Sequence, residues 1–435
     1  MLVDSETAGM PRRILIGPGE VAGYYYNLYL GFQKIGQATD YVNLWGTHPF
    51  GYNLPARPLL LRWRDAQLIR AASARFFEKF VLKQLAKVTY ATWFLQVLFR
   101  YDAFIFSASD SLLRKNRDLP MLKLFGKKVI CNLFHGSDAR PPYINGATYS
   151  DTGERPSFEE LLRLTELRKS VVERCEKYAT WIIGAPYSSS PFLRRPFINA
   201  LFIGSPWPVQ DLSQNQVSAG AIQAGKSRSF RVLHAPSRPF AKGTPHIRNA
   251  IQALREEGFD IQLIEIQGMA NHVVLEQIKR CDFVVDQVFS DSPMPGLALE
   301  AAANARPTIV GGEHLEELKR FVSPEMWPPT ITCRPEKILE TVRRLLVHPE
   351  EIPIQGRRAR NFVETYWRAE DVAERLLLIL QGKFPRHWLL SPLDVPFPRE
   401  MGIPNEEAKA NVSKLISFFG PESLGLDSER LGSVG

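Results

Sequence analysis

The chain has 435 residues, an apolar share of 45% and a formal net charge of +8, which predicts two domains with a core each. Its four cysteines (Cys131, Cys175, Cys281, Cys333) lie far apart with no C-x-x-C pair, which argues against a disulfide framework or a zinc site and predicts a reducing cytoplasm. The opening MLVDSETAGMPRRILIG reads without a signal-peptide apolar region, and the longest uncharged apolar run, Val88 to Phe99, is too short to span a bilayer.

In chain order, RRILIG (12–17) predicts a strand, followed by a GPG loop, a helix to about Gly36 and the strand DYVNLWG. Gly17, Gly19 and Gly23 space as G-x-G-x-x-x-G, which is not the dinucleotide fingerprint and reads first as a tight strand-to-helix turn. Residues 60–100 hold eight basic residues and two acids, with Trp63, Phe76, Phe77, Phe80, Leu82, Leu85, Trp93 and Phe94 interleaved. That pattern predicts basic amphipathic helices suited to an anionic membrane surface, or else a solvated face over an ordinary core. No recognition motif accompanies the charge, so nucleic acid is not an expected partner.

Strands follow at YDAFIFSAS (101–109) and KKVICNLFHGSD (127–138), then a long charged helix near 158–179 and the strand TWIIGA (180–185). His135 and Asp138 stand in HGSDAR at a strand end. A lone histidine there is usually a satisfied polar residue, but Gly136 and Asp138 strengthen a functional reading. We expect a first domain over 1–208, a linker over 209–229, a second domain over 230–382 and a C-terminal extension over 383–435 with an amphipathic piece near 406–419.

The second domain carries the strongest signal. A strand ending at His234 runs into a loop with Arg238, Lys242 and Gly243; Thr244 is a plausible N-cap and Pro245 suits the first helical turn. Ile247, Ala250, Ile251 and Leu254 recur at helical spacing. IQLIEI (261–266) and DFVVDQV (282–288) read as strands, and GLALEAAANARPTIVGG (296–312) as a small-residue helix bearing Glu300, then a strand. Such alternation predicts a parallel, doubly wound sheet with ligands at the carboxyl ends of its strands. Cations beside a helix N-terminus suit a diphosphate. The Gly-Gly-Glu at 311–313 reads as a plain turn.

These residues resemble the glycosyltransferases of GT-B fold in the large group called group 1 or family 4, on the R-x(n)-K-G loop (Arg238, Lys242, Gly243) and on Glu300 within GLALEAAANARPTI. The resemblance implies an α/β fold of two Rossmann-like doubly wound domains facing across a cleft, with the first serving the acceptor and the second the donor. It implies a nucleotide-diphosphate sugar donor gripped by Arg238, Lys242, Gly243 and Gly296, with Glu300 on the ribose. Gly17 and Gly19 would border the phosphates and His135 would line the sugar pocket. It also implies transfer with retention. With the basic helices of 60–100, we expect a glycan or lipid-linked acceptor, as in polysaccharide biosynthesis by a peripheral membrane protein. One departure stands out: the acid usually found eight residues before the ribose Glu is Ser292 here, with Asp291 beside it. No D-x-D sequence occurs, so no metal and no cofactor is expected. A non-catalytic GT-B binding subunit and a nucleotide-sugar epimerase remain open.

Overall fold

A computed structural model describes residues 9–45, 55–107, 109–208, 229–398 and 400–421; apart from residue 229, the expected linker lies outside them. The first half contains β1 (Ile14–Gly17), α1 (Tyr24–Lys34), β2 (Thr39–Tyr41), α2 (Leu59–Ser73), α3 (Phe76–Arg100), β3 (Ala103–Phe106), α4 (Leu119–Leu124), β4 (Lys128–Leu133), α5 (Phe158–Tyr178), β5 (Trp181–Gly184), α6 (Pro186–Ser189), β6 (Phe197–Asn199) and α7 (Ala200–Ile203). The second half continues with β7 (Phe230–His234), α8 (Pro239–Lys242), α9 (Thr244–Glu256), β8 (Ile261–Glu265), α10 (Asn271–Arg280), β9 (Phe283–Val285), α11 (Gly296–Ala303), β10 (Thr308–Gly311) and β11 (Ile331–Cys333). The chain closes with α12 (Ile338–Val347), α13 (Glu351–Tyr366), α14 (Ala369–Gln381), β12 (Leu389–Leu390) and α15 (Asn405–Phe419).

Two sheets result, ordered β12-β6-β5-β4-β3-β1-β2 and β11-β10-β9-β7-β8. All pairings are parallel except that of β12 with β6. Apolar runs such as ILIG and AFIF are buried at every position, as strands covered on both faces require. The order reverses between β1 and β3 in the first sheet and between β7 and β9 in the second. Those two switch points are where a doubly wound sheet opens a crevice for ligands.

Loops beyond the carboxyl ends of the first sheet's strands meet their counterparts from the second. Arg140, after β4, pairs with Asp291, after β9, at 2.7 Å, with side chains only 7% and 11% exposed. Tyr187, after β5, donates to Glu317, after β10, at 2.5 Å, and Asn199 donates to the Phe321 carbonyl at 2.8 Å. The carboxyl edges of the two sheets therefore face each other.

Helix α14 leaves the second sheet and packs on the first: Val372, Ala373, Leu376 and Ile379 share a core with Ile14, Tyr25 and Leu28. Gly31 of α1 permits the approach, because a Cβ there would lie 2.0 Å from the Ala369 carbonyl oxygen. Beyond α14 the chain is a strap. Met401 bridges to Asn145, Gly402 donates to Glu313 at 2.9 Å, and α15 buries Ala408 and Leu415.

Candidate functional site

A cavity of about 160 Å³ opens at the second sheet's switch point, lined by Lys242, Asp286, Gly296, Leu297, Glu300, Asn271 and the segment Ile266 to Met269, with Ala22 reaching in from the first domain. Each wall has a local cause. Gly243 adopts φ +75°, and a Cβ there would lie 2.5 Å from the Val288 side chain, so glycine alone fits the turn between α8 and α9. That turn holds Lys242 over the pocket. Its ammonium donates to Gln287 Oε1; Gln287 Nε2 donates to Ser290 Oγ at 2.8 Å, and Ser290 Oγ donates to the Ser292 carbonyl at 2.7 Å. A lysine can only donate, so this relay has one consistent direction.

Thr244 is not the N-cap that the sequence suggests. Gly243 occupies that position without a side-chain cap, and the Thr244 hydroxyl contacts His234 Nε2 at 2.8 Å. His234 Nδ1 lies 2.8 Å from the Val285 carbonyl, which can only accept. Nδ1 therefore carries the proton and Nε2 accepts from Thr244. This fully buried histidine ties β7, β9 and α9 together behind the cavity.

Two carboxyl groups face the same space. Glu300 is buried and accepts from Asn271 Nδ2 at 2.7 Å; burial pushes it up to about 7, and Asp286 adds to the effect. Asp286 is also raised by burial, against the opposing pull of Lys242, His234 and the Ala298 amide. One of its oxygens is buried with no hydrogen-bond partner. Carboxyls in this state are built to receive hydroxyl donors. The phosphate-compatible features are Lys242 and the N-terminus of α11, whose first residues Gly296 and Leu297 line the pocket and whose free amides point outward there. Opposite them, Ala22 holds φ +49° and Gly23 φ +80°, a non-glycine residue kept in the left-handed region.

His135 lies elsewhere along the interface. Its Nε2 is 2.7 Å from Tyr25 Oη, and its ring packs on Tyr24 and Phe134. Burial pushes the imidazole down to about 3, opposed by Asp291, so it is neutral at physiological pH. Asn132 Nδ2 donates to Tyr25 Oη at 3.1 Å. Asp138 accepts from the His135 amide at 3.1 Å, and burial pushes its carboxyl up to about 7.

Two parallel sheets of order 2-1-3-4-5, opposed at their carboxyl edges and joined by a last helix that crosses back, define one architecture. The fold is GT-B. No family model and no curated relative matches the chain. Solved structures that it is similar to include HepE of Anabaena in complex with UDP-glucose, at TM-score 0.48 and 13% identity over 85% of this chain and 99% of that one. Others are sucrose-phosphate synthase of Thermosynechococcus elongatus, at 0.43 and 13% over 85% and 98%, and the glycosyltransferase SnogD of Streptomyces nogalater, at 0.39 and 12% over 84% and 99%.

Within this GT-B frame Lys242, Gly243, Gly296 and Glu300 gather at one cavity. Arg238 does not join them: its guanidinium donates to the carbonyls of Ala147 and Tyr149, both at 2.7 Å, and to Asp151 at 3.2 Å. It is spent on the facing domain. Gly17 and Gly19 are packing positions, the first against Val42 and the second under the Trp45 ring; Ala22, not singled out in the sequence, is the residue of that loop at the cavity. Asp291 does not stand free for a ligand but is bound to Arg140 and Ser188. Glu313, expected in a plain turn, is raised to about 7 by burial and holds the strap. Asp286, also not singled out in the sequence, directly follows β9.

Proposed function

We propose that this chain is a glycosyltransferase that moves a sugar from a nucleoside-diphosphate donor to a hydroxyl acceptor. One observation carries the reading: a single cavity at the switch point brings together a positioned ammonium, a helix N-terminus and two buried carboxyls, closed by Ala22 from the opposite domain. In this reading the base lies along Ile266 to Met269 and the ribose hydroxyls donate to Glu300. The diphosphate rests between Lys242 and the start of α11, and the sugar points toward His135.

The reaction would break the anomeric C–O bond through an oxocarbenium-like state, with the electron pair leaving on the diphosphate. Lys242 and the α11 dipole stabilise that growing charge, the work a metal does in other transferases. A neutral imidazole at position 135 can hydrogen-bond a sugar hydroxyl without placing a cation beside the cationic ring. Retention of configuration follows the family resemblance. The acceptor would be a polysaccharide or a lipid-linked glycan, with α2 and α3 resting on an anionic membrane.

Thermal stabilisation by UDP, GDP, ADP and their sugar conjugates tests this, because a ligand that binds only the folded state raises its melting temperature. One base should stabilise the wild type, and Lys242→Ala should lose most of that shift; loss of one charged contact corresponds to about tenfold in affinity or more. No shift with any nucleotide would move the reading to a non-catalytic binding subunit, which Ser292 at the usual acid position favours. Free altered sugar without acceptor would move it to an epimerase.

A further inference from the structure

Helices α2 and α3 form a hairpin whose outer surface is not an ordinary solvated face. Phe76 is 91% exposed, Phe77 77%, Ile69 73%, and Trp63, Phe80 and Val88 more than half. Only Leu61 and Ala71 of α2 are buried, and in α3 the burial falls on Leu82 and Ala86 and then on Trp93, Phe94, Val97 and Leu98 near the body. Contiguous apolar surface of this size marks an interaction site. Along its flank runs a groove of about 690 Å³ between the hairpin and the domain body, floored by Leu68, Ala91, Phe94, Leu95 and Met121 with Tyr90. Lys83 and Lys87 stand at its rim. Arg64 shares the rim but is paired with Asp65 at 2.7 Å, whereas among the described residues no carboxylate lies within ion-pair distance of either lysine.

An apolar trough edged by ammonium groups that no carboxylate pairs, Lys87 donating only to Gln84 Oε1 at 3.3 Å, matches an amphiphile with one aliphatic chain and an anionic head. We propose that this groove seats an acyl or isoprenoid chain of an anionic membrane lipid, while Phe76, Phe77 and Ile69 at the hairpin tip enter the bilayer surface. Arg70, Arg75 and Lys79 around that tip complement an anionic headgroup layer. The groove is also connected to the transfer site. Tyr90 donates to the Leu112 carbonyl; Asp110, two residues earlier, accepts from Trp45 Nε1 at 3.1 Å. The Trp45 ring covers Gly19, three residues before Ala22 in the donor cavity. The inference deepens the acceptor side of the transferase reading and rests on it for its purpose, not for lipid capture itself.

The test compares oleoyl lysophosphatidate with oleoyl lysophosphatidylcholine by calorimetric titration, and measures flotation with phosphatidylcholine vesicles made with and without phosphatidylglycerol. The wild type should bind lysophosphatidate more tightly and float only with the anionic vesicles. Ala91→Phe and Met121→Trp each fill the groove, and each should weaken both lysolipids by about tenfold. Lys83→Glu with Lys87→Glu should weaken lysophosphatidate alone. Equal binding by the plugged variants, equal binding of the two heads, or a dimer in sedimentation that Ala91→Phe dissolves without lipid binding would each overturn the proposal. The nucleotide shift measured on Ala91→Phe separates the two claims: a retained shift with lost lipid binding leaves the donor site intact, and bound lipid without any nucleotide shift sinks only the transferase reading.

Discussion

Glu300 is buried beside Asp286 with Asn271 as its donor, and its folded pKa of about 7 stands above the ordinary 4.5. An acid raised in this way binds more protons folded than unfolded, so its contribution to stability is complete below about pH 4.5 and is lost as pH rises through about 7. Glu300→Gln keeps the bond to Asn271 and removes the titration. The melting temperature of the variant relative to the wild type should therefore climb from about pH 5 to about pH 8; a constant difference across that range would show that Glu300 is ionised and solvated in the fold. Residue identity was legible here where chemistry is local. Lys242, Gly243 and Glu300 stand in a strand-loop-helix pattern read within a few positions. The contacts of Arg238 were not legible, because the carbonyls of Ala147 and Tyr149 to which it donates lie 91 and 89 positions away in the chain. Thr244 was misread for a related reason: His234 competes for its hydroxyl, and only the folded arrangement brings them together.

Among elements, α1 and α14 set how the two halves are joined. Gly31 lies where any Cβ would meet the Ala369 carbonyl oxygen at 2.0 Å and the Glu370 amide at 3.1 Å. Backbone cannot yield as a side-chain end does. Gly31→Ala should cost about 2 kcal/mol or more by forcing the helices apart, measured as a lower denaturant midpoint with unchanged helical content. A neutral outcome would mean that the crossing helix is not packed as described. The strands and long helices were readable from apolar periodicity, and α5, α9 and α15 lie where it places them. The hairpin was readable only in part. Its composition showed basic and aromatic residues interleaved, but which aromatics are covered depends on the body packing only on the far half of α3, through Trp93, Phe94, Val97 and Leu98.

At the scale of the whole molecule, the two sheets meet through direct polar contacts, the Arg140–Asp291 pair among them buried. Arg140 with Asp291, Tyr187 with Glu317, and the strap at Met401 and Gly402 hold the carboxyl edges together. Removing one side of a buried charge pair costs more than removing both, so separating Arg140 from Asp291 without water to replace the contact is costly. The strap is the part that sequence concealed: residues 400–403 have no strong propensity and gain their order from both domains. In this closed arrangement Ala22 of one domain covers Gly296 of the other at the cavity, and a Cβ added at Gly296 would come within 3.1 Å of the Ala22 methyl. Gly296→Leu therefore fills the cavity mouth while leaving Lys242 and Glu300 unchanged in sequence. Calorimetric titration of that variant with the nucleoside diphosphate that stabilises the wild type is the most direct test. Binding should be lost while the unliganded melting temperature stays near that of the wild type; wild-type affinity in the plugged protein would place the nucleotide elsewhere and contradict the account.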